Sequence, residues 1–64
     1  MKAGALTQDL IGSEVIVRMG RDRTEGVLRK VTHWHDGVTV EIRLELGTSI
    51  CCLSGGDDVE VADA

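Results

Sequence analysis

The sequence predicts a mainly β protein: a small five-stranded barrel over residues 1–64, preceded by a short N-terminal helix. Residues 38–46 alternate apolar and polar side chains without a break, which is the pattern of a half-exposed antiparallel strand. Other short apolar runs precede and follow this stretch, and glycine-containing turns separate them. With only 64 residues the strands belong to one domain, and closing their sheet removes its exposed edges.

The first twelve residues predict the short helix. Leu6, Leu10 and Ile11 share one helical face. Thr7 is a candidate N-cap, and Gly12 is a candidate C-terminal stop. Because so short a helix does not stand alone in water, we expect it to lie against the sheet or a neighbouring subunit.

Two strands follow, and the second is bent. Strand one covers about residues 14–19, and a polar loop over residues 20–25 separates it from strand two, which begins at Gly26. The apolar alternation of strand two breaks across Arg29 and Lys30, which predicts a bulge or strong bend.

The second half of the chain predicts three more strands. Asp36-Gly37 is a hairpin turn signal before strand three, residues 38–46. A turn at Gly47-Thr48 leads to strand four, residues 49–53, which is apolar on both faces, and residues 59–61 form a brief closing strand. One helix and five short strands with a bent second strand are typical of an SH3-like barrel.

Composition predicts a reducing compartment and an oligomer. Apolar residues make up 42 % of the chain, and no run approaches the roughly 20 residues of a membrane helix, so we expect a cytoplasmic protein that does not bind membranes. The adjacent Cys51 and Cys52 would point to opposite faces of a strand, so we expect neither a disulfide nor a metal or other cofactor. A domain this small is only marginally stable without disulfides or bound metals, which predicts a homo-oligomer.

The charge distribution favours a compact anionic ligand. The formal net charge is −4, but residues 1–35 carry six Lys and Arg against four Asp and Glu. An acidic chain repels a long polyanion, whereas a compact phosphate-bearing ligand needs only a local basic cluster. The alternative is a solvated loop that keeps a sheet edge soluble. The candidate phosphate ligands are Arg21, Arg23, Arg29 and Lys30.

The stretch His33-Trp34-His35 contains the only aromatic residue and both histidines. We expect Trp34 to stack on a planar base while His33 or His35 donates a hydrogen bond. The alternative is that Trp34 covers the rim of the core. The two imidazoles would share one strand face while Trp34 points the other way. With Asp36 they supply too few good donors for a zinc site.

Two motifs resemble those of the Sm-like family of small barrels. Residues 12–19, followed by Gly20-Arg21 and Gly26-Val27-Leu28, look like the family's first motif, and residues 50–59 are similar in layout to its second. The resemblance implies the barrel fold and assembly into rings. The family's RNA-contact Asp and Asn would fall at residues 33–36, which here read His-Trp-His-Asp.

No nucleophile motif is recognisable, so the sequence predicts a binding protein rather than an enzyme. Our leading hypothesis is sequestration of a nucleotide or cyclic oligonucleotide signal, as in a phage or mobile-element accessory protein. One alternative is an Sm-like RNA-binding ring. Another is a protein-interaction module that adds a strand to its sheet edge and takes no small ligand.

Overall fold

Five antiparallel strands form one sheet in the computed structural model of the protein, which describes residues 1–62. The prediction of a mainly β fold is confirmed. Two short 3-10 turns, Ala3–Ala5 and Gln8–Leu10, precede the sheet. The strands are β1 (Glu14–Met19), β2 (Asp22–Trp34), β3 (Gly37–Leu44), β4 (Gly47–Leu53) and β5 (Val59–Val61).

The strand order is β4-β3-β2-β1-β5, so β4 and β5 lie at the two edges of the sheet. Each of the first four strands pairs with its neighbour in sequence, and β5 returns to pair with β1. Within residues 1–62 no pairing joins β4 to β5, so the sheet is not closed and the expected barrel closure is not confirmed.

One face of the sheet, here called the inner face, packs into a single apolar core. The core takes alternate residues from each strand, as the alternation of residues 38–46 predicted. Its members are Ala3, Leu6, Val15, Val17, Leu28, Val31, Val38, Val40, Ile42, Cys51, Leu53 and Val59. Cys51 is buried and its neighbour Cys52 is exposed, both as free thiols, which confirms that they occupy opposite faces.

The prediction of an N-terminal helix is wrong. Leu6 is buried and Leu10 is half-buried, but Ile11 is exposed, so the three do not form one packed face. Thr7 has extended backbone, and its hydroxyl donates a hydrogen bond to the Asp9 carboxylate instead of capping a helix. The segment is held to the sheet through separate backbone contacts, which a continuous helix does not provide.

Strand two bends where the sequence predicts a bulge. Leu28 pairs with Ile42, and Lys30 pairs with Glu41, so Arg29 is an extra residue in β2. β3 passes close to Gly26, where a Cβ atom would lie 2.3 Å from the carbonyl oxygen of Arg43. The absence of a side chain at Gly26 lets β3 approach β2 closely.

Three predicted loop positions are wrong by a few residues. The polar loop over residues 20–25 is a two-residue turn at Gly20-Arg21, because the strand ladder continues outward through polar pairs such as Arg18 and Arg23. The turn expected at Asp36-Gly37 lies one residue earlier. The turn expected at Gly47-Thr48 lies at residues 45–46, because Gly47 has a φ of +148° and pairs with Leu44.

Among residues 1–62 there is no helix with the length and apolar character needed to cross a membrane.

Candidate functional site

Trp34 is the last residue of β2 and lies on the outer face of the sheet, opposite the core. Its side chain is 60 % exposed, and it does not belong to the buried cluster, so it does not cover the core rim. The indole Nε1 donates a hydrogen bond of 2.9 Å to Thr39 Oγ1 on β3. This bond fixes the direction of the ring while its apolar surface stays open to solvent.

A shallow groove runs along the outer face beside the indole, and we call it the Trp34 groove. Lys30 and Trp34 come from β2, and they share the outer face because they are separated by an even number of residues beyond the bulge. Thr39 and Glu41 come from β3, and Ile50 comes from β4. The complete lining is Lys30, Thr32, Trp34, Thr39, Glu41 and Ile50.

A second depression lies on the other side of the indole, at the end of the β2–β3 hairpin. Asp36 and Asp57 line it together with the backbone of β3 and β4. Two carboxylates and no cation repel phosphate, so an anionic ligand at Trp34 is restricted to the Trp34 groove.

The two histidines have different environments, and neither shares a face with Trp34. His33 lies on the inner face, where its Nε2 is 2.7 Å from the backbone oxygen of Leu6. His35 lies in the two-residue turn between β2 and β3 and is exposed. The expectation that His33 and His35 share a strand face is therefore wrong, because the turn begins directly after Trp34.

Arg21 and Arg23 lie at the opposite end of β2 from Trp34. Arg21 is in the β1–β2 turn, and Arg23 forms a 3.0 Å ion pair with Glu25. Arg23 and Trp34 are eleven positions apart along β2, and neither arginine lines the depressions beside the indole. Even with the bend in β2, these two arginines and the indole do not form one compact site within a chain.

Arg29 and Lys30 lie between these ends, at the bulge. Both are exposed. In the described part of the chain, neither has a carboxylate oxygen within 4.0 Å of its charged nitrogens. Of the four basic residues predicted to hold phosphate, only Lys30 lines the Trp34 groove.

The described residues contain no cluster of three or more His, Cys, Asp or Glu side chains placed to hold a metal ion. They also contain no buried polar side-chain atom that lacks a hydrogen-bond partner. The distinctive chemistry of this surface is therefore an exposed indole beside one ammonium group.

Sequence reasoning missed four residues of the groove: Thr32, Thr39, Glu41 and Ile50. The outward positions of strand three included Thr39 and Glu41, but their proximity to Trp34 depends on the register of β2 against β3. The bulge at Arg29 sets that register, and its position was the signal that could have found them.

No family model, no curated protein and no solved structure matches the chain.

Proposed function

We propose that the protein is a non-catalytic, oligomeric binding protein that sequesters a compact phosphate-bearing ligand, a nucleotide or cyclic oligonucleotide. The observation that carries the proposal is the orientation of Trp34, which is 60 % exposed and anchored through Nε1 to Thr39. The base of the ligand stacks on the indole, and its phosphate contacts Lys30.

Stacking on Trp34 requires little reorganisation. A base covers apolar ring surface that is otherwise in water, and such contacts contribute about 1–3 kcal/mol per base in other stacking proteins. The hydrogen bond to Thr39 holds the ring in one direction before the ligand arrives, so less side-chain freedom is lost on binding.

Lys30 gives the groove its preference for phosphate, and the neighbouring Arg29 adds positive charge at the bulge. Glu41 faces Lys30 across the strand pair, which limits the net charge of the groove. A ligand with one or two phosphates therefore fits this surface better than a long polyanion, whose affinity depends on many phosphate contacts.

The proposal also includes a barrel fold, a reducing compartment and a homo-oligomer. The bent β2 and the strand order support an SH3-like barrel of the Sm-like type. The free thiols of Cys51 and Cys52 support a reducing compartment such as the cytoplasm. The small core supports assembly into a homo-oligomer.

Intrinsic fluorescence tests the proposal directly. Trp34 is the only Trp and the chain has no Tyr, so the emission reports this ring alone. Titration with a panel of mono-, di- and cyclic oligonucleotides is expected to quench the emission to saturation for at least one of them. Lys30→Ala should lower the affinity for that ligand about tenfold or more, since a hydrogen bond to a charged group contributes about 1.5–3 kcal/mol.

Arg21→Ala is the matched control, because it removes the same charge at the far end of β2 and should leave the affinity unchanged. Trp34→Ala should abolish the rise in melting temperature that a native-state ligand produces. The proposal is wrong if no member of the panel quenches the emission, or if Arg21→Ala weakens binding as much as Lys30→Ala. A steep loss of oligonucleotide affinity with salt would favour the RNA-binding ring instead.

A further inference from the structure

The two edges of the open sheet are treated differently by the rest of the chain. An edge strand presents unpaired N–H and C=O groups, which are a template for another strand unless they are covered or protected by charge. In the described residues one edge is largely covered, and the other is not.

The N-terminal segment covers the β5 edge. The Met1 amino group donates to the Val59 oxygen at 3.1 Å, and the Val59 N–H donates to the Met1 oxygen at 2.8 Å. The Ala3 N–H donates to the Asp57 oxygen at 2.8 Å, and Lys2 forms an ion pair with Asp58. Since β5 has only three residues, Val61 is the one position of this strand whose outward backbone groups have no partner within residues 1–62.

No residue among 1–62 covers the β4 edge at any point of its length. The two-residue turn makes Leu44 and Gly47 a hydrogen-bonded pair, and the pattern alternates from there. Thr48, Ile50 and Cys52 therefore direct their N–H and C=O groups away from β3. Residues 47–53 include no charged residue and no Pro, the usual protection of an edge.

We propose that β4 pairs antiparallel with β4 of a second copy of this chain, about a two-fold axis at Ile50. In that register Ile50 faces its own copy and Thr48 faces Cys52 of the other chain. All six outward backbone groups of each chain are then hydrogen-bonded. A shift by two residues in either direction leaves one residue of each chain outside the paired set, so the self-centred register satisfies the most groups.

The side chains of β4 agree with this register. Ile50 is 65 % exposed in the single chain, and the pairing brings two copies of it together on the outer face. Because β4 is uncharged, no like charges oppose each other between the two strands. The result is a closed dimer with a continuous ten-stranded sheet.

This inference deepens the oligomeric part of the proposed function and rests on it. It selects an isologous dimer over a ring in which β4 of one chain pairs with β5 of the next. The partly covered β5 edge offers fewer free groups than a second β4. Each Trp34 groove stays on the outer face of the dimer, with Ile50 as the shared border of the grooves and the interface.

Native mass spectrometry without nucleotide tests the dimer. The unmodified chain should show twice the mass of the 6.9 kDa single chain. Ile50→Lys places two ammonium groups at the axis and should increase the dimer dissociation constant at least tenfold. Met19→Lys is the matched control, because Met19 is 42 % exposed at the far hairpin, and it should leave the dimer intact.

Cross-linking in a glutathione redox buffer tests the register. Thr48→Cys should form an intermolecular disulfide with Cys52 of the other copy, since directly opposite strand residues have Cα atoms about 5.5 Å apart. A single-chain mass for the unmodified protein, or a dimer that Ile50→Lys does not weaken, overturns the inference. Cross-linking of Cys52 by Val61→Cys but not by Thr48→Cys overturns it in favour of the ring.

These readouts separate the two proposals. Mass and cross-linking are measured without nucleotide, whereas nucleotide binding is read from the Trp34 emission. A dimer that no nucleotide quenches contradicts the proposed ligand alone. A nucleotide-quenched ring that cross-links through Val61→Cys contradicts the dimer alone, and a quenched single chain contradicts the dimer and the oligomeric part of the proposed function but not the ligand.

Discussion

The two hairpins that β2 forms differ in how they are attached to the rest of the molecule. At the β1–β2 end, Arg21 is in an exposed turn, and Arg23 is paired only with Glu25 on the same strand. At the β2–β3 end, His33 contacts the backbone of Leu6, and Trp34 is hydrogen-bonded to Thr39. One hairpin is solvated, and the other is fixed from both faces.

This difference shows why residue type alone does not locate a site. The arginines are chemically the better phosphate-binding groups, yet Arg21 and Arg23 are exposed, and an exposed ion pair such as Arg23–Glu25 contributes little in water. The indole has a defined direction because its Nε1 is hydrogen-bonded to Thr39 on the neighbouring strand, and Lys30 lies beside it in the Trp34 groove. A rigid position is what allows a small number of groups to select a ligand.

Gly26→Ala should force β2 and β3 apart between the two hairpins. We expect it to cause the largest loss of stability. The new Cβ would lie 2.3 Å from the Arg43 oxygen and 2.7 Å from Ile42 Cγ2, so the two strands must separate. We expect a loss on the order of 3 kcal/mol or more in the free energy of unfolding. A domain of this size is stable by only about 3–10 kcal/mol, so urea denaturation followed by circular dichroism should show a much lower unfolding midpoint than that of the unmodified chain.

Gly56→Ala is the matched control, because no atom lies within 4 Å of the position of its Cβ. Its unfolding midpoint should stay close to that of the unmodified chain. Equal stability of Gly26→Ala and Gly56→Ala would show that β2 and β3 do not approach as closely as described.

Much of the sheet could be predicted from the sequence, because period-2 alternation is a strong signal over residues 38–46 and 14–19. The bulge at Arg29 was found from the same signal, as a break in the alternation. Turn positions were less predictable. Leu46 continues the apolar alternation, but it is 99 % exposed because it lies in the two-residue turn. Gly47, which has a positive φ, begins β4 directly after it.

The candidate site was predicted only in part, because its assembly depends on pairing between strands. Trp34 stands out by composition, and Lys30 by charge, but the sequence does not show that Thr39 and Ile50 lie beside them. The alternation predicted that His33 and Trp34 point to opposite faces, as the structure has them, but it did not predict the contact of His33 with the backbone oxygen of Leu6. Neighbouring strand residues point to opposite faces, and this alternation stops where the strand ends. Because β2 ends at Trp34, His35 lies in the turn and not on the face of His33.

His33→Ala should cause a moderate loss in the free energy of unfolding. It removes the 2.7 Å contact with Leu6, which ties the N-terminal segment to the fixed hairpin. We expect a loss of about 1 kcal/mol in the free energy of unfolding, the usual contribution of one hydrogen bond. His35→Ala, in the exposed turn one residue beyond Trp34, should change it by much less. Chemical denaturation of both variants by circular dichroism checks this, and equal losses would contradict the anchoring role of His33.

The smallest expected effect on stability concerns the ion pair between Lys2 and Asp58, which holds the other end of the N-terminal segment. A hydrogen bond from the Lys2 ammonium group, together with its charge, lowers the pKa of the Asp58 carboxyl below its ordinary value of 3.8. Because the pKa is lower in the folded state than in the unfolded state, the pair stabilises the fold above pH 3.8. That stabilisation is lost as the pH falls through the lowered pKa.

Asp58→Asn should therefore melt slightly below the unmodified chain at neutral pH. This difference should shrink as the pH falls below 3.8 and disappear below the lowered pKa of Asp58. Lys2→Gln should show the same pH dependence, because it removes the other partner of the pair. Both side chains are largely exposed, so water and salt screen the interaction and the difference should shrink as salt is added. A melting difference that persists in acid would mean that Asp58 acts through its shape or its backbone and not through its charge, and that the N-terminal segment is held by its backbone hydrogen bonds alone.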